Sequence, residues 1–139
     1  MKPGRELDAL VAEHVMGWKL SADGSEWLDA DEVYIEDAKY WRIGGNDDIL
    51  PWSPSTDIAA AWQVDRPGWT WEFQETSHDL TATLYPSPEA RSEALTSYPI
   101  LPEGVVLVRR EWLDDKAGTY AWVRCLAALR AMGVEVEDA

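Results

Sequence analysis

Two histidines and one cysteine are all this 139-residue chain offers of the residues most used as general base, thiol nucleophile and zinc ligand. A zinc centre built from them would need His14, His78 and Cys125 together, from three distant parts of the sequence. His14 lies close to the apolar stripe of a helical stretch and reads as a boundary residue. His78-Asp79 has the form of the dyad of metal-dependent phosphohydrolases, but that chemistry needs further histidines, and the pair reads as a turn. Ser55, Ser77 and Ser87 lack the glycine-flanked setting of an activated serine, and Gly44-Gly45, followed by acids, is too short to cradle a phosphate. Cys125 falls on the apolar side of a helix, where a thiol behaves as a small hydrophobe with a normal or raised pKa. The groups Asp29, Asp31, Glu32 and Asp47, Asp48 lack the alternation, central glycine and closing glutamate of a calcium loop. The sequence predicts no catalytic residue, no metal site and no cofactor.

What the chain has in excess is tryptophan, nine residues, and negative charge, a formal net −14 from 26 acids against 12 lysines and arginines. Such a charge repels phosphate backbones, which excludes general nucleic-acid binding unless the few arginines gather on one face, and it suits a basic partner. Trp18, Trp62, Trp69, Trp71 and Trp122 fit core faces of the elements below. Trp27, Trp41, Trp52 and Trp112 lie near loops or edges, and Asp29, Asp31, Asp47, Asp48, Asp114 and Asp115 lie beside them. Aromatic anchors among acids compose a protein-binding surface, and this is the expected partner site; the plainer reading is that these rings close the rim of a small core. An alternative is a pocket for a small ligand or nucleotide signal, which requires Arg42, Arg66, Arg109 and Arg110 to converge.

The elements that must position these residues follow from periodicity. Between Gly4 and Trp18, Leu7, Leu10, Val11, Val15 and Trp18 recur at three and four, predicting an amphipathic helix with Arg5, Glu6, Asp8 and Glu13 on its solvated side. Glu32–Glu36 and Tyr40–Ile43 suit strands, joined as a hairpin through Asp37-Ala38-Lys39. Pro54-Ser55-Thr56-Asp57 starts a helix over 55–64, whose Ile58, alanines and Trp62 are expected to cover a sheet. Trp69–Glu75 alternates with Trp69, Trp71 and Phe73 on one face. A polar turn at 76–79 leads to Leu80–Tyr85, which should pair with it antiparallel. A short polar helix at 88–95, a buried strand at 105–108 and a closing helix at 118–132 follow. In the last helix Trp122, Cys125, Leu126, Leu129 and Met132 form the apolar stripe, Arg124 and Arg130 lie outside it, and Gly133 stands at the C-cap. Residues 135–138 make a frayed acidic end.

The length suits one domain. The pattern predicts an α+β fold, a small and mainly antiparallel sheet of about four or five strands packed with three helices as an α-β-α sandwich. A lone cysteine, a start without a signal-like segment and the lack of a long apolar run predict a cytoplasmic protein outside membranes. Three stretches, Gly4 to Trp18, Pro54 to Trp62, and Thr119 to Gly133 with Arg124-Cys125 and Ala127-Ala128-Leu129, together resemble the phage ABA sandwich domain family. The family consists of small bacteriophage and prophage proteins, and membership implies one sandwich domain over residues 1–139. The long segments at about 19–50 and 86–113 depart from the family pattern and read as insertions. The resemblance carries no activity or catalytic residues. It implies a phage-encoded acidic protein, at work in the host cytoplasm, that inhibits a host protein or an antiviral defence system such as CRISPR by binding it. Its rivals are the ligand-sequestering protein, an oligomeric phage accessory or structural protein, and an enzyme.

Overall fold

A computed structural model describes residues 1–20, 26–28, 34–39, 53–66, 68–97 and 100–134. The chain runs α1 (Arg5–His14), β1 (Lys19–Leu20), β2 (Glu26–Leu28), β3 (Tyr34–Lys39), α2 (Ile58–Ala61), β4 (Thr70–Glu75), β5 (Asp79–Tyr85), α3 (Pro88–Ser97), β6 (Val106–Glu111) and α4 (Lys116–Ala131). The fold is α+β with antiparallel sheets, as the pattern predicts. Among the described residues the strands form two sheets of three, β1-β2-β3 and β4-β5-β6, each smaller than the sheet of four or five expected. β3 runs through Asp37, Ala38 and Lys39 and pairs with β2, so the predicted hairpin turn there is instead strand. The predicted Tyr40–Ile43 strand and the acidic end at 135–138 lie outside the described residues.

The β4–β5 hairpin follows the predicted alternation, with Thr70 opposite Tyr85 and Glu75 opposite Leu80. Thr76 closes it: its N–H donates to Asp79 O at 2.9 Å, while its hydroxyl oxygen accepts from the His78 and Asp79 N–H groups. His78 lies in the turn, as read, whereas Asp79 is already the first residue of β5. Leu80, Ala82 and Leu84 share a fully buried face, which the neighbours Trp71, Phe73, Val106 and Val108 extend. β6, which lies within the 86–113 segment, pairs along β5 from Val106 to Glu111.

Across that face lies α4, buried from Gly118 through Leu129 except for Tyr120 and Trp122, which are partly covered. A helix apolar nearly all round is one enclosed from several sides. The sheet covers one side of α4, and α1 and α2 pack on it from others, contributing Leu7, Val11 and Ala60 to one continuous core. The small residues Gly118, Ala121, Ala127 and Ala128 let these partners approach closely. α4 ends in a Schellman cap: Gly133, at φ 79°, donates to Arg130 O, and Val134 donates to Leu129 O, both at 3.0 Å. α3 lies apart, covering only the Tyr85 end with Ala90 and Ala94.

Three side chains sit where periodicity does not put them. Asp8, assigned to the solvated side of α1, is 4% exposed and accepts the Ser55 N–H at 2.8 Å, because the turn preceding α2 docks on α1. Arg124, placed outside the α4 stripe, is 5% exposed because α2 and β4 close over it. Trp62 is 56% exposed, because α2 spans only four residues and packs on α4 instead of covering the sheet.

Candidate functional site

Among the described residues β4 is an edge strand, and its core-facing rings, only partly covered, continue outward as an aromatic row. Trp71 and Phe73, two residues apart on one face, stack at 5.8 Å with planes 4° apart. Phe73 meets Tyr120 of α4 at 5.3 Å, Tyr120 meets Trp112 at 6.1 Å, and Trp62 stands edge-on to Phe73 at 6.5 Å. Beneath the row, the Arg124 guanidinium lies 4.1 Å from the Trp71 ring centroid and 4.7 Å from that of Trp62. Its Nε donates to Ala61 O at 2.9 Å, and Asp65 lies 3.9 Å from Nη2. Burial holds the Arg124 pKa below its usual value, with Asp65 opposing that shift. Two aromatic faces, a carbonyl and a carboxylate together let the interior hold this cation. Asp65 also accepts from the Trp71 indole at 2.9 Å, which fixes the ring.

Two clefts open along the row. The first, about 430 Å³ and walled almost entirely by carbon, lies between two pairs spaced four apart, Ile58 of α2 with its C-cap Trp62, and Lys116 and Tyr120 from α4, and Ala117 also lines it. Residues four apart share a helix face, so two short helical stretches suffice to build both walls. The second, about 300 Å³, is lined by Glu75, Thr76, Trp112, Leu113, Asp114 and Lys116. Lys116 is the wall between them. Its Nζ lies 2.5 Å from Glu75 and 5.5 Å from the Trp112 ring centroid. Hydrogen bonds from Lys116 and Tyr120 hold the Glu75 carboxyl below its usual pKa, and burial, then Glu75, raises that of Tyr120. The Trp112 indole donates to Thr76 O at 2.8 Å, and Thr119 accepts the Leu113 N–H at 2.9 Å, so the connection carrying Trp112 is anchored at both ends.

Of the expected partner-binding residues, Trp112 and Asp114 line the second cleft. Asp115 adjoins it and caps α4, accepting from the Ala117 N–H at 3.2 Å. Trp27 lies on β2 opposite Leu20. Asp29, Asp31, Trp41, Asp47, Asp48, Trp52 and Arg42 lie outside the described residues. The other arginines of the ligand-pocket alternative are dispersed. Arg109 reaches Thr81 and Asp79 on one face of β6, Arg110 lies over Trp122 on the opposite face, and Arg66 packs on Trp69 at the other end of β4–β5. Cys125 is fully buried, and burial pushes its thiol pKa well up, which disfavours a thiolate. Among the described residues, no three His, Cys, Asp or Glu side chains group to hold a metal ion, and no helix is long and apolar enough to cross a membrane.

Ile58, Trp62, Glu75, Lys116 and Tyr120 were not expected in a site. The four-residue spacing of Ile58 and Trp62 is visible in the sequence, and so is that of Lys116 and Tyr120. Which face of α2 meets solvent depends on α4, more than fifty residues away, and no local pattern supplies that. Comparisons with protein-family models, curated proteins and solved structures return no match.

Proposed function

We propose that the chain is a protein-binding domain that occupies a basic surface on its partner, and that it works by contact and charge rather than by catalysis. The observation that carries this reading is the exposed Trp62 at the lip of an apolar cleft, adjoining a cleft lined by Glu75 and Asp114, on a chain of net charge −14. An exposed tryptophan beside a carbon-walled slot is the usual form of a binding anchor, and surrounding acids steer a basic partner. In the setting implied by the resemblance to phage ABA sandwich proteins, the partner is a host protein with a basic surface, such as a nucleic-acid-binding component of an antiviral defence system. The domain then acts in the host cytoplasm as an inhibitor. Sequestration of a nucleotide signal has less support, since Arg66, Arg109 and Arg110 face different parts of the molecule.

The test is affinity capture with the tagged chain from a phage-resistant bacterium. One host protein should be retained, released by high salt, and bound about tenfold or more weakly by Trp62→Ser. Retention indifferent to both salt and Trp62 would remove the basis for this reading.

A further inference from the structure

The geometry points to a cation subsite at Glu75, Trp112 and Tyr120, in which Lys116 of the free chain stands in for an arginine or lysine of the partner. The adjoining apolar cleft takes an aliphatic or aromatic side chain from the same partner segment. This rests on the reading of the chain as a binder of basic proteins, and deepens it by naming the segment recognised: a basic residue next to an apolar one.

Lys116 shows what the corner accepts. Its ammonium has the Glu75 carboxylate at 2.5 Å and the Trp112 ring centroid at 5.5 Å, and the Tyr120 ring stands beside Trp112 at 6.1 Å. A ring face and a carboxylate are two groups that recognise alkylammonium and guanidinium ions. Yet Lys116 is weakly committed to the place. Its side chain is 66% exposed, and an exposed ion pair contributes little to a fold. It is also the first residue of α4, where a positive charge opposes the helix dipole, so it does not serve the helix by being there.

Swinging Lys116 out would free the carboxylate and the ring, and would remove the wall between the two clefts, since it lines both. The result is one trough, apolar at the Ile58 and Trp62 end and acidic at the Glu75 and Asp114 end. Asp57 and Asp115, at the N-caps of α2 and α4, add negative charge nearby. An anionic ligand would meet these carboxylates, whereas a cationic side chain complements them.

The probe is a short fluorescent peptide with one phenylalanine between arginines, followed by anisotropy at about 0.1 M salt. Wild-type chain should bind it saturably. Lys116→Ala should bind it about three- to tenfold more tightly, because the subsite is vacated, and Glu75→Gln about tenfold more weakly. Lys2→Ala removes an equal charge outside the cleft lining and should change affinity less than about twofold. Replacing the peptide's phenylalanine by serine should weaken binding. If Lys116→Ala behaves like Lys2→Ala, if Glu75→Gln binds as wild type does, or if the serine peptide binds as tightly, the subsite is wrong while the acidic binder stands. If no basic peptide binds any variant, both readings fall. Lys116 and Glu75 are exposed, so their variants retain the core and the test does not hinge on a folding defect.

Discussion

Asp8 is a buried carboxyl at the junction of α1 and the turn before α2, where it accepts the Ser55 N–H at 2.8 Å. Beside Arg5 and Glu6 it reads as one more charge on the wet side of α1, yet it lies buried against Ser55. Ser55 in turn accepts the Gly4 N–H at 2.9 Å, so the carboxyl and the hydroxyl together tie the turn before α2 to the start of α1. Burial raises the Asp8 pKa from 3.8 to about 6, against the lowering effect of its hydrogen bonds from Ser55. Between those values the folded chain holds a proton that the unfolded chain has released. Stability from this group is therefore complete below pH 3.8 and is lost as pH rises to about 6, by up to roughly 3 kcal/mol. Urea unfolding of the wild type and of Asp8→Asn, compared from pH 4 to pH 7, should show the wild type losing stability relative to the variant across that window. Parallel curves would mean that Asp8 ionises as an exposed carboxyl does. No helical period in α1 foretells this, because the partner that buries Asp8 is 47 residues away.

At the scale of elements, the parts legible in the sequence are those whose reasons are local. The β4–β5 hairpin is announced by Trp71 and Phe73 alternating with Glu72 and Gln74, then by a polar turn closed by Thr76; α4 is announced by its stripe and Gly133. The length of α2 is not: the pattern reads as a helix over 55–64, whereas Asp57 is the N-cap and the helix runs only from Ile58 to Ala61. Asp115 shows how an element and a site compete for one residue. It reads as a partner-contacting acid, but its carboxylate accepts the Ala117 N–H at the α4 N-terminus. Asp115→Ala should cost about 1 kcal/mol of stability, and Asp115→Ser, which keeps a capping oxygen while removing the charge, only a few tenths. Thermal unfolding of the two variants separates these roles. Equal losses would show that the charge of Asp115, rather than its cap, supports α4. A binding defect in Asp115→Ala alone therefore belongs to the helix, and one shared with Asp115→Ser belongs to the surface.

For the whole molecule, the same charge that suits a basic partner works against the fold. A net charge of −14 on 139 residues makes compaction bring like charges together, a cost that falls as salt screens them. Among the described residues, the exposed pairs set against it, Lys116 with Glu75, Arg91 with Glu72 and Arg109 with Asp79, contribute little, and Arg124 with Asp65 is the pair whose basic side chain is buried. Raising sodium chloride from about 0.01 M to about 0.1 M shortens the screening length from about 30 Å to about 10 Å. Repulsion summed over the surface is reduced more than a few short contacts are, so stability should rise by about 1 kcal/mol and Tm by roughly 4 °C. Association with a basic partner should respond in the opposite sense, since there the screened interaction is attractive. Measuring Tm and peptide affinity on one salt series joins the two effects. A chain whose Tm falls with salt would be held together by its ion pairs, and its acidity would then have to be explained by folding rather than by recognition.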